Sequence, residues 1–295
     1  MWRTDALRRV YTLNTWLNSQ GFGNVQLLRT AKRATRKMLE RALRRGATCS
    51  INIDGMILEV PSTPASFNDY VLCPYEPYMT TLFRQAVRTG TTVLDIGAQF
   101  GYFSLIAAKR GASVIAFEPA PSNVALLEKN VRANGLSSKV KIVPSAVGRK
   151  DTKANLFVYR DSDSHGMYPV PDVPVKDVIN LDCVEVDTFL EGQAVDVIKI
   201  DIEGHEPFAL EGMKKTLQNG KRLVLFAELA PAFLRRAGVT PAHYLNQLES
   251  FKFQVQMIDE QSKCLRDITI RQLSEIESDT GFYTNLYCTK CDCGK

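Results

Sequence analysis

Between residues 92 and 228, short apolar, β-branched runs alternate with helix-forming stretches, and no other feature constrains the fold as tightly. The strand candidates are Thr92–Ile96, Ser113–Glu118, Val140–Val143, Val195–Ile200 and Arg222–Glu228. Helices are expected at about 101–110, 122–134 and 206–218. VDVIKI and RLVLFAE are apolar enough to be buried on both faces, as parallel strands between helical layers must be. The pattern predicts an α/β chain with a doubly wound, mostly parallel sheet, and 295 residues that are 45% hydrophobic can bury its core.

Flanking segments read differently. Residues 1–46 carry eleven Lys and Arg against Asp5 and Glu40, so this arm is +9; with the whole chain at +5, residues 47–295 hold −4. A solvated helical extension resting on the acidic domain or on a sister subunit in a homodimer accounts for that charge. Docking through the arm on anionic lipid as a peripheral membrane contact, or on nucleic acid, is the sharper alternative, and an Arg-rich transit peptide a third. SINIDGMILEV (50–60) alternates like two strands around Asp54-Gly55, a turn dipeptide. Residues 149–194 interrupt the βα alternation and are expected to form a loop or hairpin beside the active site. A helical stretch over 231–250 and strands at 251–258 and 282–288 complete the chain. The expected division is therefore a basic extension at 1–48, a hairpin and leading helix at 49–90, a catalytic domain at 91–290 and a flexible tail at 291–295.

Seven scattered cysteines do not resemble a secreted disulfide framework, and no apolar run reaches the length of a membrane span. A cytoplasmic location is expected. Cys288, Cys291 and Cys293 are spaced CxxCxC, but a structural zinc site needs a fourth ligand that the tail lacks.

The stretch VLDIGAQFGYFSLIAAKRG (93–111) reads as strand, glycine turn and helix, leaving amides exposed toward a polar cofactor. Gly97 and Gly101 do not make the GxGxxG of dinucleotide binders, which argues against a nicotinamide-dependent oxidoreductase. Asp95, just before the turn, can meet the ammonium of a methionine moiety but would repel a pyrophosphate. Further on, VIAFEP (114–119) ends a strand at Glu118, where a carboxylate can accept both hydroxyls of a ribose. Together these point to S-adenosyl-L-methionine. Capping and strand-end charge are the purely structural readings of Asp95 and Glu118.

With those residues in view, the chain resembles the FkbM family of S-adenosylmethionine-dependent methyltransferases over about residues 70–230. YEPY (75–78), VLDIGAQFGYFSL, VIAFEPAPSNVALLEKNVRANG, SAVG (145–148), VEVDTFL (184–190), VDVIKIDIEGHEPFALEGM (195–213) and VLFAEL (224–229) carry the likeness. The resemblance implies a class I, Rossmann-like methyltransferase fold with a seven-stranded sheet, and O-methylation of a hydroxyl on a sugar, glycan, polyketide or related metabolite. Asp95, Gly97, Ala98, Gly101, Tyr102, Phe103, Glu118 and Pro119 fall on cofactor positions, with Ser145 and Ala146 beside the adenine. Gln99 stands where family members often have Asn.

Methyl transfer to oxygen needs alignment and removal of one proton. Strand ends face the ligand crevice of such a sheet, which places Asp201, Glu203 and His205 of DIEGHE, and Glu228 of the next strand, on the acceptor side. Asp201 or His205 is expected to take the proton, and Glu203 or Glu228 to orient the acceptor. Asp201 also borders the cofactor, and Glu76 could close over it or cap the helix that follows. Glu206 reads as a first-turn helix charge. A divalent metal is not favoured, though Asp201, His205 and Glu228 would be its ligands. His165 lies in the polar loop, and His243 receives no role. A nucleic-acid methyltransferase is the main rival, but KIDIEG lacks the Asn-Pro-Pro-aromatic motif of base N-methylation.

Overall fold

The computed structural model describes residues 48–63, 66, 70, 75–159, 165–268, 276, 279 and 281–290. The basic arm, Cys73, Cys291 and Cys293 lie outside them. The chain divides into a unit of residues 1–75 with 161–163 and a larger unit of 76–160 with 164–295.

In the smaller unit, β1 (Thr48–Ile53) and β2 (Met56–Pro61) pair antiparallel with Ile53 opposite Met56. Asp54 and Gly55 take φ of 51° and 82°, the left-handed turn that this dipeptide tolerates, and Asn52 Oδ1 accepts the Gly55 amide at 3.0 Å.

The larger unit opens with α1 (Pro77–Ala86), β3 (Thr92–Ile96), α2 (Tyr102–Lys109), β4 (Ser113–Phe117), α3 (Pro121–Ala133) and β5 (Val140–Val143). Next come β6 (Ala146–Gly148), β7 (Thr152–Tyr159), β8 (Val175–Glu185), α4 (Val186–Leu190) and β9 (Val197–Ile200). The remaining elements are α5 (Glu206–Glu211), α6 (Lys214–Asn219), β10 (Val224–Leu229), α7 (Pro231–Arg236), α8 (Pro241–Ser250), β11 (Gln254–Asp259), β12 (Cys264–Asp267) and β13 (Thr284–Thr289).

The main sheet has the order β12-β11-β13-β10-β9-β3-β4-β5. Strands β3, β4, β5, β9 and β10 run parallel, and β13 pairs antiparallel with both β10 and β11. This is the doubly wound class I methyltransferase arrangement with its seven strands, to which β12 adds an eighth at the edge. From β3 the chain winds outward to β5, then returns to lay β9 on the other side of β3. The strand order therefore reverses between β3 and β9, where an open α/β sheet forms its ligand crevice. Strand β9 is buried at every position and β10 at all but Val224, because helices cover both faces.

Two expectations need correction, while residues 149–194 hold the expected hairpin: β7 is antiparallel to β8, and β6 just ahead of it pairs with β8 to make a second sheet of order β6-β8-β7. Its long β8 is mostly exposed, so polar residues occupy it and the apolar signal is weak. The helix expected over 206–218 is two, because Asp187 of α4 accepts the Lys215 and Thr216 amides at 2.7 and 2.9 Å and starts α6 afresh. The stretch 231–250 is likewise two helices, the second capped by Thr240 Oγ1 on the His243 amide with Pro241 following. Among the described residues no helix is long and apolar enough to cross a membrane.

Candidate active site

The crevice between β3 and β9 is built by one close approach. Gly97 ends β3 with φ +81°, and its amide and that of Ala98 both donate to the Phe117 carbonyl at 3.0 Å. A Cβ on Gly97 would lie 1.9 Å from the Asp201 carbonyl oxygen, so only glycine lets the turn meet the end of β9. Gln99 and Glu203, in the turns after the same two strands, are non-glycine residues with φ of 48° and 58°, and Glu76 ahead of α1 has φ 39°. Such conformations cost free energy and gather where function holds them.

On the β4 side, Glu118 is buried and accepts from the Gln99 amide at 2.8 Å, the Ala120 amide at 2.9 Å and Asn123 Nδ2 at 3.2 Å. Burial pushes its pKa up to about 7 against these donors. On β3, Asp95 is 1% exposed. Its Oδ2 accepts from Ser104 Oγ at 2.6 Å, while Oδ1 is buried without a hydrogen bond. Burial raises this carboxyl above the usual range, opposed by the Lys199 ammonium and the Ser104 hydroxyl.

The other expected cofactor residues divide by contact. Tyr102 and Phe103 turn toward α1, with the Tyr102 hydroxyl 3.3 Å from Thr80 Oγ1 and the Phe103 ring 4.9 Å from that of Phe83. Ala98, Ser145 and Ala146 are buried, Pro119 is half-buried, and Gly101 precedes α2 with φ +98°. Glu76 Oε1 accepts from Tyr283 Oη at 2.5 Å and Asn285 Nδ2 at 2.7 Å, and burial lifts its pKa to about 7. It makes no side-chain cap; Glu260 instead takes the Tyr78 and Met79 amides of α1, both at 2.8 Å.

The acceptor-side carboxylates stand at neighbouring strand ends. Asp201 follows β9 and binds Lys199 Nζ at 3.2 Å. Glu228, near the end of β10, is 4% exposed, and its Oε2 is buried without a hydrogen bond. Burial, then the charges of Asp201, Glu203, Glu206 and Glu76, hold its carboxyl well above the ordinary range. Glu206 Oε1 accepts from the Ile202 and Gly204 amides at 2.8 and 3.3 Å and so ties the DIEGHE turn together.

His205 is placed otherwise than expected of a base beside Asp201. Its Nδ1 lies 2.9 Å from the Tyr168 hydroxyl, and its ring packs 4.8 Å from Phe208. Burial and then the Arg149 charge lower its pKa to about 4. Gly166 sits close against Glu203, where a Cβ would be 3.4 Å from that of Glu203, so the segment beginning at half-buried His165 packs on this turn. No three of the described His, Cys, Asp and Glu residues gather as a metal site, and Asp201, His205 and Glu228 do not converge. Cys288 is buried in the core within β13, and His243 is exposed on α8.

The sequence reading missed Lys199, Ser104, Tyr168 and the Glu76 partners. Only Lys199 carried a signal: a lone cation inside a strand otherwise buried and apolar must have buried partners. Also missed was a cavity of about 490 Å³ whose lining includes Glu76, Glu260, Arg266, Tyr283, Thr284 and Asn285.

A family model described as the methyltransferase FkbM domain matches residues 95–255, more than half of the chain. The chain belongs to the FkbM methyltransferase family. FkbM methyltransferases draw their methyl group from S-adenosylmethionine, and the orphaned Asp95 Oδ1 beside the glycine turn fits the ammonium of that molecule. Among solved structures, the FkbM chain is similar to an S-adenosylmethionine-dependent methyltransferase from Aquifex aeolicus at 15% identity, covering 77% of this chain and 94% of that one, TM-score 0.41. An rRNA methylase from Streptococcus thermophilus matches at 9% identity over 72% and 95% of the two chains, TM-score 0.44. A precorrin-6y C5,15-methyltransferase from Geobacter metallireducens matches at 12% identity over 75% and 92%, TM-score 0.42. A sequence search of curated proteins finds no match.

Proposed function

We propose that this FkbM methyltransferase methylates a hydroxyl oxygen on a sugar, glycan, polyketide or related metabolite, with Asp201 as the proton acceptor. When bound, S-adenosylmethionine supplies an electrophilic methyl on a sulfonium. Asp95 and the Gly97 turn would hold its amino-acid end, and Glu118 its ribose. The observation that carries the reading is the pair of carboxyl groups at adjacent strand ends, Asp201 on β9 and Glu228 on β10, with Glu228 Oε2 buried and unpaired. A second hydroxyl of the acceptor can satisfy that orphaned oxygen, while Asp201 takes the one proton of the attacking hydroxyl as the C–O bond forms and the methyl–sulfur bond breaks. Asp201 suits the second task because the Lys199 ammonium, 3.2 Å away, holds its carboxylate at the strand end.

The acceptor also has room. The cavity at Glu76 and Asn285 opens on β13, two strands from β9 and so about 10 Å along the same rim. A ring system larger than a single small alcohol would span that distance, and a mostly apolar lining with Met257, Ile258 and Phe282 beside Glu76 and Asn285 suits one that pairs an apolar face with hydroxyls. Incubation with radiolabelled S-adenosylmethionine and fractionated cell extract tests the reading. Alkali-stable label in a small metabolite or glycan supports it; label recovered in nucleic acid or in an N-methyl group sinks it.

A further inference from the structure

Lys199 is 5% exposed, set between Ile198 and Ile200 in the centre of the unit. Its Nζ donates to the Gly97 carbonyl at 3.2 Å and to Asp201 Oδ2 at 3.2 Å, and lies 5.5 Å from the centre of the Phe103 ring. Asp95, Asp201 and Glu76 all act on its charge, and together they keep it protonated despite burial. A buried ammonium is not needed for stability, since apolar residues of similar volume commonly serve as well in such positions. Its two partners belong to different halves of the site. Gly97 forms the turn on the donor side, and Asp201 the strand end on the acceptor side. With the Gly97 carbonyl held, the turn cannot rotate away from β9, and the Asp95 carboxyl keeps its place beneath it.

We infer that Lys199 is a positioning residue that keeps the donor turn and the acceptor-side carboxylate in register across the switch point. This rests on the reading of the crevice as a methyltransferase site. Its ammonium fixes the Gly97 carbonyl and, at the same time, holds the Asp201 carboxylate in place. One residue thus sets both the cofactor cradle and the position of the proton acceptor.

The test uses S-adenosylhomocysteine, which lacks the sulfonium charge and so reports on the turn rather than on long-range attraction. Calorimetry is run on the wild type, Lys199→Met, Lys199→Arg and the double variant Lys199→Met with Asp201→Asn. The Asp201 carboxyl is followed by carbon-13 NMR, assigned through Asp201→Asn. Lys199→Met is expected to lose tenfold or more in affinity, as for a lost charge-assisted hydrogen bond, and to displace the Asp201 carboxyl resonance. Lys199→Arg should stay within about threefold of the wild type, because a guanidinium can still donate to both partners. The double variant removes both charges, which protects folding, and should bind as weakly as Lys199→Met. Wild-type affinity in a folded Lys199→Met, or in the double variant if the single one does not fold, overturns the inference. Failure of the wild type itself to bind S-adenosylhomocysteine would instead overturn the functional reading beneath it.

Discussion

Asn285 donates a 2.7 Å hydrogen bond to the Glu76 carboxylate across 209 residues, joining the start of β13 to the residue that opens α1. Tyr283 donates to the same oxygen, so Oε1 is doubly satisfied while Glu76 keeps a left-handed backbone. Asn285→Ala should destabilise the protein by about 1 kcal/mol, because a half-buried carboxylate loses one of two donors. It should also raise the Glu76 pKa beyond its value near 7. Chemical denaturation and carboxyl NMR check both, and an unchanged midpoint would show that the bond is not maintained in solution.

Gly97→Ala tests the switch-point contact. The added Cβ would sit 1.9 Å from the Asp201 carbonyl oxygen at a φ that L-residues avoid. Overpacking and backbone strain together predict a loss of about 2–4 kcal/mol and of cofactor binding. A melting temperature equal to that of the wild type would refute the close approach.

Glu118 governs how cofactor affinity depends on pH. Its pKa near 7 means that it gains its charge as pH rises through neutrality, and only the ionised carboxylate accepts two ribose hydroxyls. Affinity for S-adenosylhomocysteine should therefore rise between about pH 6 and 8. In Glu118→Gln the affinity should be lower and this part of the pH dependence absent. Calorimetry at several pH values decides, and a flat wild-type profile would contradict the assignment.

Asp201→Asn should separate chemistry from binding. The carboxamide keeps the shape but cannot take a proton, so turnover on an identified acceptor should fall about 10²–10⁴-fold. Turnover within threefold of the wild type would move the base elsewhere, with Glu228 the next residue to examine.

His205 gives an acid-stability test. Its pKa is lowered to about 4 from an ordinary value of 6.5, so the unfolded chain binds its proton first. The stability tied to the neutral ring is present above pH 6.5 and is lost as pH falls toward 4, by at most about 1.4 kcal/mol per pH unit. The buried carboxyls with raised pKa values change stability in the opposite sense over part of this range, so the wild type must be compared with His205→Asn. The difference between their unfolding free energies should shrink across that window; a constant difference would mean that His205 titrates normally.

Much of this protein could be read in one dimension because the physics there is local. Apolar β-branched runs, the DIGAQFG turn and the strand ending at Glu118 each specify their own conformation, and their order along the chain implies the doubly wound sheet. The segment 149–194 was legible as a loop or hairpin but not in its strand bounds, because β8 is largely solvent-exposed and its residues carry no burial pattern. The break between α5 and α6 was hidden for a similar reason: its cap, Asp187, comes from 28 residues upstream.

The sequence by itself determined the family, the donor and the strand ends that carry Asp95, Glu118, Asp201 and Glu228. Tertiary structure alone decided which of these side chains meet. It turned His205 toward Tyr168, tied Glu76 to β13, and put the Lys199 ammonium between Gly97 and Asp201. Hydrogen bonds and buried charges act over a few ångströms in space, whatever the distance along the chain, so their partners become visible only when the sheet has brought the strand ends side by side.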